Sequence, residues 1–153
     1  MRDPQIPAPD LLAALEAEQQ RLWEFLASAD SAALTQRRPN GDWSVIENLR
    51  HLLFAEQAHL GSVMPERPPL SPLGLPPPGL QAKLFPKGMT PSTDAAEVIA
   101  AWREAHAVIR PHLLDDTPKA RRELSRNLRH LRNHIKLIQR QLRAHQKLSR
   151  AEQ

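Results

Sequence analysis

From Thr117 to Arg150 the chain runs without a single glycine or proline after Pro118, and that stretch can only be one long helix. Thr117 offers an N-cap oxygen, and Pro118 fits the first helical position, where its missing N–H costs nothing. Leu124, Leu128, Leu131, Ile135, Ile138 and Leu142 follow at spacings of four and three. At ~100° per residue they fall within a wedge of roughly 80°, the apolar stripe of a helix facing a bundle core. Asn127, His134 and His145 lie along one edge of the wedge, and His130 and Gln141 sit further round the same side. The opposite face carries Arg122, Arg126, Arg129, Arg132, Lys136, Arg140, Arg143 and Lys147.

A helix of that length needs partners, and the rest of the chain supplies them. Asp10 is the expected N-cap of a first helix near 10–28, with Leu12, Leu15, Leu22 and Leu26 as its stripe and Trp23 and Phe25 widening it. Ser31 to Leu34 adds a short turn, and Arg38-Pro39-Asn40-Gly41-Asp42 reads as loop. A second helix is expected near 44–64. Ser44 and Glu47 have capping-box spacing, the stripe runs through Ile46, Leu49, Leu53, Leu60 and Met64, and Pro65 forces the end. A third helix is expected near 93–110, capped by Thr93 or Asp94, with Val98, Ile99, Trp102, Ala105 and Ile109 on its apolar side and Pro111 closing it. The last helix is expected near 118–149.

Between the second and third helices lies a crossover, 64–92. Nine of the 27 residues from Pro65 to Pro91 are proline, and Pro76-Pro77-Pro78 is expected to be extended, with no helix. So long a connection is unusual inside a compact domain unless two parallel helices of a bundle require it. The expectation is an all-α four-helix bundle forming a single domain over 1–153.

The formal net charge of +4 hides an asymmetry: eleven Lys or Arg against one acid between Pro118 and Arg150, ten against sixteen elsewhere. Either the bundle neutralises its last helix or that helix meets an anionic partner. The helix has no aromatic residue to stack a base, so nucleic-acid binding would be phosphate-directed and sequence-blind, and it is not the favoured reading. There is no cysteine and no apolar run of membrane-spanning length, and the first residues have no signal-peptide core, so a cytoplasmic protein without disulfides is expected. No Gly-rich phosphate loop and no Gly-x-Ser-x-Gly occur.

His130 and His134 have the His-x₃-His spacing that puts two imidazoles on one helix face, where they can share a metal. A third ligand would come from another helix, with His51 and His59 as candidates. On these residues alone the plainer reading, polar residues at the edge of a stripe, is favoured. Glu47 beside His51 has acid/base spacing, yet its capping role already accounts for it.

Two segments add a resemblance. Trp43-Ser44-Val45-Ile46-Glu47-Asn48-Leu49-Arg50-His51-Leu52 is similar to the second-helix signature of the DinB-like family: Trp-Ser, then Glu, then a His eight residues after the Trp. Asn133-His134 through Gln141 resembles that family's Asn-His-x₃-His-x₂-Gln segment. The resemblance implies an up-down-down-up bundle, often a homodimer. It also implies a divalent metal such as Zn²⁺ or Ni²⁺, held by one His of the second helix and two of the fourth, with a low-molecular-weight thiol as the ligand of characterised relatives.

In that register the fourth-helix ligands fall on His134 and on Ile138, which cannot ligate. His51 and His134 would remain, with His130 joining only if the helix were rotated, and Ile138, Glu47, Gln141 and Asn127 would line the site. The expectation is a degenerate metal site that holds metal weakly and that Ile138→His would strengthen. A small-molecule-binding or interaction module follows, with a metal-dependent thiol transferase-like enzyme as the alternative.

Overall fold

The computed structural model describes residues 5–37, 41–86 and 94–151. Six α-helices account for most of them: α1 (Ala8–Ala27), α2 (Ser31–Thr35), α3 (Val45–His59), α4 (Pro78–Leu84), α5 (Ala95–Ile109) and α6 (Pro118–Ala151). There is no strand among the described residues, so the fold is all-α. Among the described residues no helix is long and apolar enough to cross a membrane.

The local signals act largely as their chemistry requires. Thr117 Oγ1 accepts the Ala120 amide at 3.1 Å and starts α6. The Ser44 hydroxyl accepts the Glu47 amide while the Glu47 carboxylate accepts the Ser44 amide, closing the capping box of α3. Asp94 accepts from the Ala96 amide and caps α5; Thr93, the other candidate, lies outside the described residues. Asp30 caps α2 in the same way.

Three expectations are corrected. Helix α1 begins at Ala8 after a Pro7 cap, and Asp10 stands in its first turn, where an acid still favours the positive helix end. Helix α3 is shorter than expected: it ends at His59, and a 3₁₀ turn, Leu60–Val63, carries the chain to Pro65. The crossover contains a helix, α4, because Pro78 occupies its first position rather than its interior. Pro77 keeps the expected extended conformation, with φ −54° and ψ 148°.

The apolar stripes of α1, α3, α5 and α6 meet in one core. Leu15, Leu49, Leu53, Leu124, Leu131 and Ile138 are completely enclosed. Trp23 of α1 packs edge-on against Trp102 of α5, ring centroids 5.3 Å apart at 83°. That is the favourable aromatic arrangement, positive ring edge to negative face.

The crossover is tied along α3 rather than hanging as a linker. Arg50 Nε donates to the Leu73 carbonyl at 2.8 Å, and the Leu75 amide donates to the Arg50 carbonyl at 3.0 Å. Gln57 donates to the Pro69 carbonyl and accepts from the Ser71 amide. A Cβ on Gly74 would lie 3.3 Å from the Phe54 Cβ, so glycine is what allows this close approach. The basic residues of α6 lie outward, with Arg132 Nε 3.6 Å from Glu18 and Arg121 Nε 3.3 Å from Asp116.

Candidate metal centre

Helix α6 is wedged against both α1 and α3, so the centre of its stripe enters the core and the stripe's edge faces α3. Ile138, near the centre, is fully buried among core residues. His130 and His134, further round the helix, meet His51 of α3. The ring centroids are 5.1 Å apart for His51–His130, 5.1 Å for His51–His134 and 4.4 Å for His130–His134. One nitrogen from each of the three lies within 4.8 Å of the others. Ligands of one Zn²⁺ at ~2.1 Å stand no more than ~4.2 Å apart, so a small side-chain adjustment brings all three onto one ion.

The third imidazole therefore comes from the turn before His134, not from the turn after it. This overturns the premise of a two-histidine site. His130 needs no rotation of the helix: its ring already stands 5.1 Å from that of His51, while Ile138 is buried in the core.

The proton positions are set by the partners. His51 Nδ1 donates to the Leu75 carbonyl at 2.9 Å, and a carbonyl can only accept. His134 Nδ1 donates to Asn48 Oδ1 at 2.9 Å, while the Asn48 amide nitrogen donates to the Ser44 carbonyl at 3.0 Å and thereby fixes which end of the amide is the acceptor. Both imidazoles thus keep Nε2 as a lone pair, the form a metal requires. His130 Nδ1 is buried and has no hydrogen-bond partner among the described residues.

Electrostatics work in the same direction. Burial, then the neighbouring imidazoles His134, His51 and His59 and the Arg126 guanidinium, push His130 down to about 3. Burial and His51 push His134 down to about 4. Burial lowers His51 as well, against the opposing Leu75 hydrogen bond. All three are neutral at pH 7 and present no positive charge to an incoming cation. Uncharged nitrogens, oriented rings and an orphaned buried Nδ1 fit a divalent metal.

A cleft of about 390 Å³ opens beside His134, lined also by Gly41, Asp42, Trp43, Asn48, Leu137 and Gln141. Gln141 donates to the Trp43 carbonyl at 2.6 Å and accepts from Asn48 at 3.4 Å, closing a chain of amides from the loop before α3 to His134. Gly41, at φ +84°, makes the left-handed turn that brings this loop over α6.

The remaining expected residues lie elsewhere. The Glu47 carboxylate is taken by its capping box and by Arg37 Nε at 2.8 Å. Asn127 is buried one turn before His130 and accepts from His59 Nδ1 at 3.3 Å. His59, whose ring is 5.7 Å from His130, stands behind the three-histidine group rather than in it.

Two partners escaped the sequence reading. Asn48 had a visible signal, one turn before His51 on the same face; the Leu75 carbonyl, a backbone atom of a Pro-rich loop, had none.

No curated protein and no solved structure matches the chain. A family model described as the DinB superfamily matches residues 14–138, from the middle of α1 through the whole histidine group to Ile138. That span takes in the whole of the Trp43–Leu52 segment and the Asn133–Ile138 part of the second, and the chain belongs to the DinB superfamily.

Proposed function

We propose that this protein binds a divalent transition metal, Zn²⁺ or Ni²⁺, through His51, His130 and His134, and that a small molecule reaches the remaining coordination position through the adjoining cleft. The observation that carries this reading is the convergence of three neutral imidazoles, two of them held in the Nε2-ligating tautomer by Leu75 and Asn48. When bound, such an ion supplies Lewis acidity, which lowers the pKa of a water or thiol that shares it.

The chain's own residues do the rest. Asn48 and Gln141 hold His134 in orientation. Trp43 and Leu137 give the cleft apolar walls, and Asp42 gives it an acid at the mouth. The volume admits a small molecule of metabolite size, not a polymer. A low-molecular-weight thiol, the class implied by the resemblance, suits a soft open position on three imidazoles.

The same reading includes an up-down-down-up order of α1, α3, α5 and α6. Support comes from Ala8 bonding to Asp116 and Glu18 pairing with Arg132, near the start and middle of α1 and α6. The pairs Asn48–Gln141 and His59–Asn127 give α3 and α6 the opposite sense.

The test is metal analysis of tag-free protein with thermal unfolding in Zn²⁺, Ni²⁺ and chelator. One equivalent of metal and a chelator-reversible rise in Tm are expected, both lost in His51→Ala, His130→Ala and His134→Ala. Metal binding that survives His130→Ala would remove the three-histidine reading.

A further inference from the structure

A concavity roomier than the histidine cleft lies away from it. It lies on another seam, where the C-terminal end of α1 and helix α2 face the first half of α5, and it encloses about 630 Å³. It shares no lining residue with the histidine cleft. Its floor is apolar: Leu26 and Leu34 are buried there and Ile99 is half-buried. Its rim includes the exposed alanines Ala27, Ala96 and Ala100, with Asp94 at the start of α5 and Arg103 about two turns further along it. Along α5 it runs from Ala95 to Arg103, which at a rise of ~1.5 Å per residue is ~12 Å.

One end of this groove is polar in a particular way. The Arg103 guanidinium lies 5.0 Å from the centroid of the Trp23 ring. A guanidinium held over a ring by cation–π attraction keeps its N–H donors for an anion, and a carboxylate can accept two of them in parallel. Arg103 has no carboxylate and no hydrogen-bond acceptor among the described residues, although acids are plentiful on this chain. The indole Nε1 of Trp23 is likewise buried without an acceptor among the described residues. A groove with an apolar body and, at one end, a cation with no carboxylate partner among the described residues is complementary to a molecule with an apolar body and one terminal anion.

We propose that this groove is a second binding site, for an amphipathic carboxylate such as a medium-chain fatty acid, with the carboxylate on Arg103 and the chain lying over Leu26, Leu34 and Ile99. An extended ten-carbon carboxylate matches the ~12 Å run along α5. A volume of this size lies within the range of small-molecule pockets. The site is independent of the metal centre: it uses α1, α2 and α5, and the histidines use α3 and α6.

The experiment is calorimetric titration of the full chain with decanoate, below its micellar concentration, beside decanol as the uncharged analogue. Tryptophan fluorescence gives a second readout, since Trp23 lines the groove. One saturable decanoate site is expected. Arg103→Met should weaken decanoate at least tenfold and leave decanol binding unchanged. Ala100→Phe, at an exposed position that tolerates a larger side chain, should block both. His130→Ala and chelator should change neither. The proposal is overturned by the absence of saturable binding. It is overturned equally by Arg103→Met weakening decanoate and decanol alike, or by loss of decanoate binding in His130→Ala, which would place the molecule in the histidine cleft instead.

Discussion

Two groups of histidine-bearing polar residues are built into the same bundle, and they are built oppositely. Between α3 and α6, three imidazoles face one another with no acid among them, and burial drives their pKa values down. Between α1, α3 and α5, one imidazole is clamped by two acids. His106 Nδ1 lies 3.0 Å from Glu56 and its Nε2 2.8 Å from Glu16. Glu56 is fully buried and also accepts from Trp102 Nε1 at 3.1 Å and from the Gln19 amide. Arg110 Nε closes the chain on Glu16 at 2.8 Å. Burial opposes the charge on His106, but hydrogen bonds to Glu56 and Glu16 and their charges outweigh it and push the imidazole up to about 9.

The difference teaches how to tell a structural buried histidine from one kept for a ligand. The clasp around His106 is complete: every charge has its counter-charge within the protein. The group around His130 has no such clasp: one nitrogen from each of three imidazoles lies within 4.8 Å of the others, and no acid joins them among the described residues. Both are buried and both are perturbed, so perturbation alone does not mark a site. What marks it is which partner is lacking.

The largest effect should come from breaking the clasp. His106→Ala leaves Glu56 buried without its counter-charge and should lower stability by about 3–5 kcal/mol in urea unfolding, without changing metal affinity. Replacing Glu56 and His106 together by leucine should recover a large part of that loss. The clasp also sets an alkaline limit. A histidine whose folded pKa is raised contributes stability fully below its ordinary value near 6.5, and the contribution disappears as pH rises through about 9. Unfolding curves between pH 6 and 10 should show this decline in the unaltered protein and not in His106→Gln.

Metal should act on the other group alone. At a free metal concentration a hundredfold above Kd, stability should rise by about 2.7 kcal/mol, since only the folded state gathers the ligands. The rise should persist as an increment in His106→Ala and vanish in His130→Ala. If both variants lose it, the two groups are coupled and the contrast drawn between them fails.

Ile138→His probes the same boundary from the core side. Ile138 is fully buried in the seam, so an imidazole there should cost about 1–3 kcal/mol without metal. With His130 already in the group, it should not raise metal affinity; a gain of tenfold or more would restore the register in which position 138 holds a ligand.

The smallest effect concerns orientation. Asn48→Ala removes the acceptor of His134 Nδ1 and frees the ring to turn or change tautomer. Metal affinity should fall by about 10–100-fold, with all three ligands still present. Gln141→Ala, one step further along the amide chain, should show less.

Most of the secondary structure was legible because it is a matter of local chemistry. The stripe of α6, the Ser44–Glu47 box, the Thr117 and Asp94 caps and the stop before Pro65 depend on residues within a turn or two of one another. The exceptions were local too: Pro78 opens a helix rather than preventing one, since the residue type is the same and only its position in the turn differs. The family could be reached from Trp43-Ser44, His51 and the Asn133–Gln141 segment, as these are fixed spacings within single helices. The pairing of His130 with His134 was legible as well, because imidazoles at four-residue spacing share a face whatever the fold.

Which face meets which helix was not legible. Helical spacing gives the angle between His130, His134 and Ile138 around α6, but not the direction from which α3 approaches, and that direction decides whether position 130 or position 138 joins His51. The sequence by itself therefore determined an all-helical chain of the DinB superfamily with a histidine-bearing edge on its last helix. Only the tertiary structure decided that the edge closes on His51 through His130, that Leu75 of the crossover fixes a tautomer there, and that Glu56 and Glu16 enclose His106. These are contacts between residues 20 to 90 positions apart, set by how whole helices pack, and helix packing is a sum over a core that no single spacing contains.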